Sequence, residues 1–400
     1  TSFVFLFVLF GSLLDKAGAG NYFIKVAFSL LGHLRGGPAK AAVLASAMTG
    51  LISGSSIANV VTTGTFTIPL MKRVGFTAEQ AGSVEVASSV NGQIMPPVMG
   101  AAAFLMVEYV GISYLEVITH AFLPAVISYI ALLYIVHLEA LKNEMEGLPK
   151  PGIPKTMLAG LIGMVIPILS IIILCGIVYY GIVGIKAVTG DFAGWVMALA
   201  VFVIYFVLIA YAARSPDLEM DDPNSELVSL PEFGPTFRTG LHYILPIVVL
   251  VWFLMIERKS PGLSAFWASA LMIVILITQR PLKATFRKSG DAAAALRHGW
   301  GDLIDGMIAG ARNMIGIGVA TAAAGIIVGT VTLTGIGQVM TEFVEVLSGG
   351  NLIVMLILVA IISLILGMGL PTTANYIVVS SLMAGVVVEL GAANGLIVPL

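Results

Sequence analysis

The chain has 400 residues, of which 58% are hydrophobic and 10% are charged, and its formal net charge is −2. Because a soluble domain carries about 25% charged residues, this composition excludes an ordinary soluble enzyme, a nucleic-acid-binding protein and a disordered chain. Apolar stretches of about 20 residues recur, which is the length that a helix needs to cross a bilayer. We therefore expect an all-α polytopic membrane protein.

Uninterrupted apolar segments predict membrane spans near residues 1–14, 81–109, 114–137, 157–180, 192–212, 241–256, 262–279 and 303–333. Lys and Arg in short loops mark the cytoplasmic side. The segment 280–300 has five basic residues and one acid, so we expect a cytoplasmic loop there. The segments 138–155 and 214–240 are expected on the same side. The chain opens on Thr1 and stops inside an apolar run, so we expect a piece of a longer polypeptide.

A first interrupted segment, 39–71, is broken by Ser53-Gly54-Ser55-Ser56. Each arm has about 15 residues, or about 22 Å of helix, which is too short to cross the bilayer alone. Basic residues flank both ends, so both ends are expected on the cytoplasmic side. These features predict a re-entrant hairpin with its polar tip near mid-membrane.

A second interrupted segment, 351–390, is broken at 367–375, where the sequence is Gly-Met-Gly-Leu-Pro-Thr-Thr-Ala-Asn. No Lys or Arg follows Arg312, so this hairpin is expected to enter from the outside. The two hairpin tips would then point at each other from opposite faces.

An internal repeat supports this arrangement. Gly20 precedes Asn59 by 39 positions, and Gly337 precedes Asn375 by 38, with hydroxyl residues before each Asn. Repeats of opposite orientation, with interrupted apolar segments at matching places, are typical of secondary transporters and point to their binding sites. The alternative is a chance similarity between Gly- and Ala-rich apolar sequences.

The hairpin tips are the candidate sites. Non-helical backbone within a membrane must be buried in protein or line a polar cavity, and its carbonyls together with hydroxyl and amide oxygens suit a hard cation such as sodium. A helix that starts at the tip offers free N–H groups to a carboxylate. The candidate groups are Ser53, Ser55, Ser56 and Asn59 at the first tip, and Thr372, Thr373 and Asn375 at the second. The alternative is that these hydroxyls bond only to helix carbonyls.

A third element is the stretch 88–97, which contains Gly92, Pro96 and Pro97 inside the predicted span 81–109. Two prolines remove two backbone donors, so we expect an unwound stretch facing the first tip, with a simple proline kink as the alternative. Glu85 and Arg312 are intramembrane charges that could equally reach an interface. The five histidines lack metal-site spacing, and no nucleotide-binding pattern occurs.

These motifs resemble a known family. The segments 53–64 and 92–100 resemble the large membrane subunit of TRAP (tripartite ATP-independent periplasmic) transporters, and 367–375 is similar to the fused permeases that work with TAXI-type binding proteins. The resemblance implies an elevator-type, sodium-coupled importer of a small organic acid that needs no cofactor besides sodium. It also implies a periplasmic solute-binding protein of the TAXI type, a small membrane subunit or fused equivalent, and a multi-pass location in a bacterial or archaeal cytoplasmic membrane.

In this family the hairpin tips and the neighbouring unwound helix hold sodium and substrate. The resemblance carries that role onto the residues at the matching positions, which are Ser53, Gly54, Ser55, Ser56, Asn59, Asn91, Gly92, Thr372, Thr373 and Asn375. The expected organisation is a first repeat at 1–110 with the cytoplasmic-side hairpin 39–71, scaffold helices and loops at 111–300, and a second repeat at 301–400 with the outside-facing hairpin 351–390, truncated at its C-terminus.

Two other functions remain open at this point. A related hairpin-containing antiporter or channel would have the same architecture. An intramembrane serine hydrolase would use Ser53 or Ser55 as nucleophile with His120 as base, although the sequence around Ser53 lacks the usual nucleophile-elbow spacing.

Overall fold

The structure, a computed structural model, is α-helical throughout most of the residues that it describes. These are 2–100, 111–148, 188–218, 230–288, 292–335, 346–368 and 372–395, with a few isolated positions between them. The helices in chain order are α1 Ser2–Lys16, α2 Ala19–Leu31, α3 Gly37–Ser53, α4 Ser56–Arg73, α5 Ala78–Asn91, α6 Tyr114–Lys142, α7 Ala193–Ala212, α8 Phe233–Thr239, α9 Ile244–Val251, α10 Pro261–Arg287, α11 Ala292–Thr334, α12 Leu352–Gly367 and α13 Thr372–Ala393.

Local sequence signals start and separate these helices. Capping boxes of Thr77 with Gln80 and of Ser113 with Glu116 begin α5 and α6, since each pair satisfies otherwise unpaired N–H groups of the first turn. Gly18 after α1 and Gly335 after α11 both have positive φ angles, 102° and 66°. The first helix of each proposed repeat therefore ends at a left-handed glycine.

Three described helices, α6, α7 and α10, are long and apolar enough to cross a membrane, and they match the predicted spans 114–137, 192–212 and 262–279. Two bent pairs, Val4–Lys16 with Ala19–Leu31 at 68° and Phe233–Thr239 with Leu241–Ile256 at 50°, raise the number to five if each pair is one span. Large apolar side chains on α6 and α7, such as Phe122 and Trp195, are exposed. Predicted span 157–180 lies, except for its last residue, outside the described residues.

One boundary prediction differs from the structure. The segment 280–300 is mostly helical, because α10 continues to Arg287 and α11 begins at Ala292. The basic residues predict a loop there, but long cationic side chains also occur where a helix extends beyond its apolar part. The predicted span 81–109 is interrupted within the stretch that the sequence predicts to be unwound, since α5 ends at Asn91 and a single 3₁₀ turn, Gly92–Ile94, follows.

The helices pack in two groups that position the tips. Helix α1 packs on α10 and α11, and its side chain Phe10 is fully buried in the main apolar core. Helix α3 packs against α2, α4 and α5. Ser12 of α1 accepts a hydrogen bond of 3.2 Å from the Asn313 amide of α11, so the first helices of the two proposed repeats are directly linked.

Candidate functional site

The segment around 39–71 folds back on itself as a helical hairpin. The Asn59 amide of α4 donates to the Ser46 carbonyl of α3 over 3.2 Å, and the Thr49 hydroxyl donates to Asn59 Oδ1. Ser46 and Asn59 would be about 20 Å apart on one continuous helix. The arms α3 and α4 are therefore antiparallel, with Gly54 and Ser55 between them, and Asn59 joins the arms just below the tip.

The segment around 351–390 has the same construction. The Asn375 amide of α13 donates to the Ser363 carbonyl of α12 over 3.0 Å. Met355 near the start of α12 packs with Leu390 near the end of α13, so these arms are antiparallel as well. The two asparagines, which the sequence repeat aligns, both donate to a serine carbonyl in the opposite arm, 13 positions away in the first hairpin and 12 in the second.

The first tip lies against the unwound stretch after α5. Gly54 has a left-handed φ of 56°, and a Cβ atom on it would be 2.2 Å from the Met99 carbonyl oxygen. A Cβ atom on Gly50 would be 2.6 Å from Gly92 Cα. Only glycine permits backbones to approach so closely. Gly54 and Gly92 thus allow the hairpin to contact the unwound stretch. The sequence predicts that this stretch faces the first tip.

Gln93 joins the tips of the two hairpins. Its amide nitrogen donates to Ser56 Oγ over 2.9 Å, and its amide oxygen accepts from the Thr372 hydroxyl. Ser56 is the first residue of α4, and Thr372 is the first residue of α13. The two candidate clusters therefore meet around one side chain that the sequence analysis did not select, although it lies inside the stretch 88–97.

Other candidate residues are placed less centrally. The Asn91 side chain turns toward α6, where its oxygen accepts a hydrogen bond of 3.0 Å from Ser128. Ser55 lies in the tip, and its carbonyl accepts from the Asn59 N–H over 2.9 Å. Ser53 ends α3 and Thr373 lies in the first turn of α13, and their side chains are outside the described part of the structure.

The side-chain oxygens of the two asparagines differ in whether they accept a hydrogen bond. Asn59 is 2% exposed, and its oxygen is occupied by Thr49. Asn375 Oδ1 is buried and accepts no hydrogen bond from any described residue. A buried oxygen without a donor is costly, and a bound cation would satisfy it. The described residues contain no group of three or more His, Cys, Asp or Glu side chains suited to a transition metal, whereas neutral oxygens suit sodium.

The hydrolase interpretation finds no support in the described geometry. His120, its required base, lies exposed on α6, one turn from Glu116. A nucleophilic serine needs its base within hydrogen-bond reach, whereas the described interaction of His120 is with Glu116 of its own helix.

Comparison with known proteins identifies the family. A family model described as "Tripartite ATP-independent periplasmic transporter, DctM component" matches residues 1–190 and 189–396. A C4-dicarboxylate TRAP transporter large permease protein DctM of Rhodobacter capsulatus is 35% identical over 91 residues, which is 23% of this chain and 21% of the relative. The protein of the same name from Pseudomonas aeruginosa is 26% identical over 174 residues, 43% of this chain and 40% of the relative.

A third relative, the sialic acid TRAP transporter permease protein SiaT of Haemophilus influenzae, is 27% identical over 144 residues, which is 36% of this chain and 23% of the relative. The matched regions therefore span less than half of each of these relatives. The family consists of transporter components rather than enzymes, in agreement with the sequence analysis. Because the family model matches nearly the whole length, the chain belongs to the DctM family of large TRAP transporter components.

Proposed function

We propose that this protein imports a small organic acid by sodium-coupled secondary transport, as the permease part of a TRAP system in the cytoplasmic membrane of a bacterium or archaeon. A periplasmic solute-binding protein, of the TAXI type, delivers the substrate, and a small membrane subunit or its fused equivalent completes the permease. The tripartite description of the family supports a periplasmic partner and a small subunit, and the names of its C4-dicarboxylate and sialic acid relatives support this substrate class. The TAXI type rests on the resemblance of residues 367–375.

The observation that carries the proposal is the Gln93 bridge between Ser56 and Thr372. Two helical hairpins that meet tip to tip provide one site reachable from two sides, which alternating access requires. In the proposed arrangement the hairpins are re-entrant from opposite faces, residues 1–110 and 301–400 form the mobile unit, and residues 111–300 form most of the scaffold of an elevator.

Each ligand has suitable groups at the tips. Sodium would bind near Asn375 Oδ1, which lacks a donor among the described residues, with further oxygens from Thr372 and Ser56. The substrate carboxylate would bind at the N-terminal ends of α4 and α13, where backbone N–H groups and the helix dipole favour an anion. Asn59 joins the two arms of the first hairpin, and it thereby positions the tip without binding a ligand itself.

Transport is tested with the full-length protein in liposomes, together with the binding protein encoded beside it and a labelled acid that this binding protein retains. Uptake should require both the binding protein and an inward sodium gradient. The variant Gln93→Ala should lose most uptake, whereas the control Ser83→Ala, on an exposed part of α5, should not. Uptake without any sodium gradient would favour a channel, and sodium-independent exchange would favour an antiporter.

The hairpin orientation is tested separately. With Cys175 replaced, single cysteines at the exposed positions Lys72 and Leu347 should react with a membrane-impermeant thiol reagent from opposite faces, Lys72 from the inside and Leu347 from the outside. Reaction of both from one face would refute opposed re-entrant hairpins.

A further inference from the structure

Glu85 is a buried carboxyl group that the proposed transport mechanism does not use. It lies on α5 and is fully buried. Three hydroxyl groups surround it: Thr63 donates to Oε1, Thr67 donates to Oε2, and Ser89 lies 3.3 Å from Oε1. None of the described Lys, Arg or His residues forms an ion pair with it. An ionised carboxylate buried without a cationic partner is costly, so the hydroxyl groups must supply its stabilisation.

None of the hydrogen bonds and ion pairs described for the charged and titratable groups on the helices around Glu85 reaches its carboxyl group. These groups are Lys40 on α3, Lys72 and Arg73 on α4, Tyr129, His137 and Glu139 on α6, and Glu79 on α5 itself. Glu139 accepts a hydrogen bond from Gln80, and Lys40 contacts His137. The charge of Lys72 attracts that of Glu79, which lies about 9 Å along the helix from Glu85. The Tyr129 hydroxyl bonds to the Ser88 carbonyl over 3.4 Å.

The hydroxyl groups around Glu85 can serve two protonation states. Thr63 Oγ1 also lies 2.8 Å from the Asn59 carbonyl, and Thr67 Oγ1 lies 3.0 Å from the Thr63 carbonyl. Each hydroxyl has one hydrogen and two acceptor positions. When Glu85 is ionised, the hydrogens point at the carboxylate. When Glu85 is protonated, its own O–H donates to a threonine oxygen, and that threonine donates to its helix carbonyl instead. In either state both oxygens of the Glu85 carboxyl group have a hydrogen-bond partner.

The same hydroxyl connects Glu85 to the first hairpin. Thr63 bonds either to Glu85 or to the backbone of Asn59, and the Asn59 side chain joins the two arms of the hairpin. A change in the protonation of Glu85 therefore changes hydrogen bonds within about one helical turn of the residue that holds the tip in place.

We propose that Glu85 is a proton-binding site behind the first hairpin, linked through Thr63 and Asn59 to the cation site at the tips. Proton binding at Glu85 and sodium binding at the tips influence each other, and by linkage the influence is reciprocal. The link to sodium rests on the proposed function, whereas proton binding at Glu85 does not. The two parts are therefore measured separately.

The first measurement is infrared spectroscopy of the full-length protein in detergent across a pH series. The parent should show the C=O band of a protonated buried carboxyl group that disappears as pH rises. Glu85→Gln should lack this band, and Glu79→Gln, which changes an exposed acid of the same helix, should keep it. If Glu85→Gln does not fold, Ser89→Ala serves instead and should move the midpoint to higher pH, because the ionised form loses a donor. A band that neither Glu85→Gln nor Ser89→Ala alters would overturn the proposal.

The second measurement is the sodium affinity of the same proteins by calorimetry at several pH values. In the parent and in Glu79→Gln the apparent affinity should change by up to tenfold per pH unit on the acidic side of the infrared midpoint, the limit for one proton exchanged per ion bound. In Glu85→Gln it should not depend on pH. An equal pH dependence in Glu85→Gln would refute the linkage. If the parent binds no sodium at any pH, the proposed function fails, while the infrared result still decides the proton site.

Discussion

The contact between Gly50 and Gly92 makes one substitution especially informative. In Gly50→Ala the new Cβ atom would lie 2.6 Å from Gly92 Cα and 3.0 Å from the Gly92 carbonyl oxygen. Non-bonded carbon atoms rest about 3.5–4.0 Å apart, and both neighbours are backbone atoms that cannot rotate away. Helix α3 and the turn after α5 must therefore separate by about 1 Å.

The expected cost has two parts. Overpacking of this kind costs about 1–3 kcal/mol, and the better helix propensity of alanine returns about 1 kcal/mol, so stability should fall by up to about 2 kcal/mol. The hydrogen bond of 2.9 Å between Gln93 and Ser56 crosses the same gap, and a further 1 Å would break it. Losing one such hydrogen bond costs about 1 kcal/mol. If the whole loss falls on the site, sodium binding should weaken about fivefold.

The matched control is Gly82→Ala on α5, where the new Cβ atom meets no atom within 4 Å. This variant should gain up to about 1 kcal/mol from helix propensity and keep the sodium affinity of the parent. The assays are thermal unfolding and sodium titration of uptake, both on the full-length protein. If Gly50→Ala behaves like Gly82→Ala in both assays, the close approach of the first hairpin to the turn after α5 is wrong.

Three further comparisons of variants test separate parts of the structure. Asn59→Ala should lower stability by about 1–3 kcal/mol, because it removes two buried hydrogen bonds, whereas Asn375→Ala, which removes one, should mainly weaken sodium binding; equal losses of stability by thermal unfolding would contradict this difference. The double change Pro96→Ala, Pro97→Ala should leave stability unchanged or higher by up to about 3 kcal/mol per site, yet abolish uptake, and retained uptake would show that the unwound stretch is dispensable. Burial would raise the pKa of Asp217, but hydrogen bonds and charges of Arg287 and Lys283 outweigh it and lower that pKa to about 2. The stabilisation by this cluster is therefore complete above the ordinary pKa of 3.8 and disappears as pH falls toward 2, so melting temperature should fall more steeply with acid in the parent than in Asp217→Asn.

Much of the candidate site could be predicted from residues that interrupt helices. The interruptions at 53–56 and 367–375 stand out because glycine, proline and hydroxyl residues interrupt otherwise apolar helices, and the structure folds the chain back at both places. The spacing of the two asparagines also predicted equivalent positions, and both donate to a serine carbonyl of the opposite arm. These features depend on local backbone chemistry, which a sequence displays directly.

The central residue of the site could not be found in that way. Which side chain points at the tips depends on where α5 ends, since each helical residue turns the direction by about 100°. The helix runs through Asn91, which turns that side chain toward Ser128, and Gln93 two positions later faces Ser56 and Thr372. An available signal was that Gln93 is an uncharged polar side chain, with both a donor and an acceptor, inside a stretch already expected to be unwound.

The sequence separations of these contacts set an order on assembly during synthesis. The bonds that close each hairpin join residues 13 and 12 positions apart, whereas the bond between Gln93 and Thr372 spans 279 positions and that between Ser12 and Asn313 spans 301. At a ribosomal rate of about 5–20 residues per second, Thr372 is made roughly 14–56 s after Gln93. The first hairpin can thus fold early. Until the second hairpin has been synthesised, Gln93 can bond to Ser56 but not to Thr372. A stalled or shortened nascent chain would present that unpaired polar tip to the quality-control proteases of the membrane.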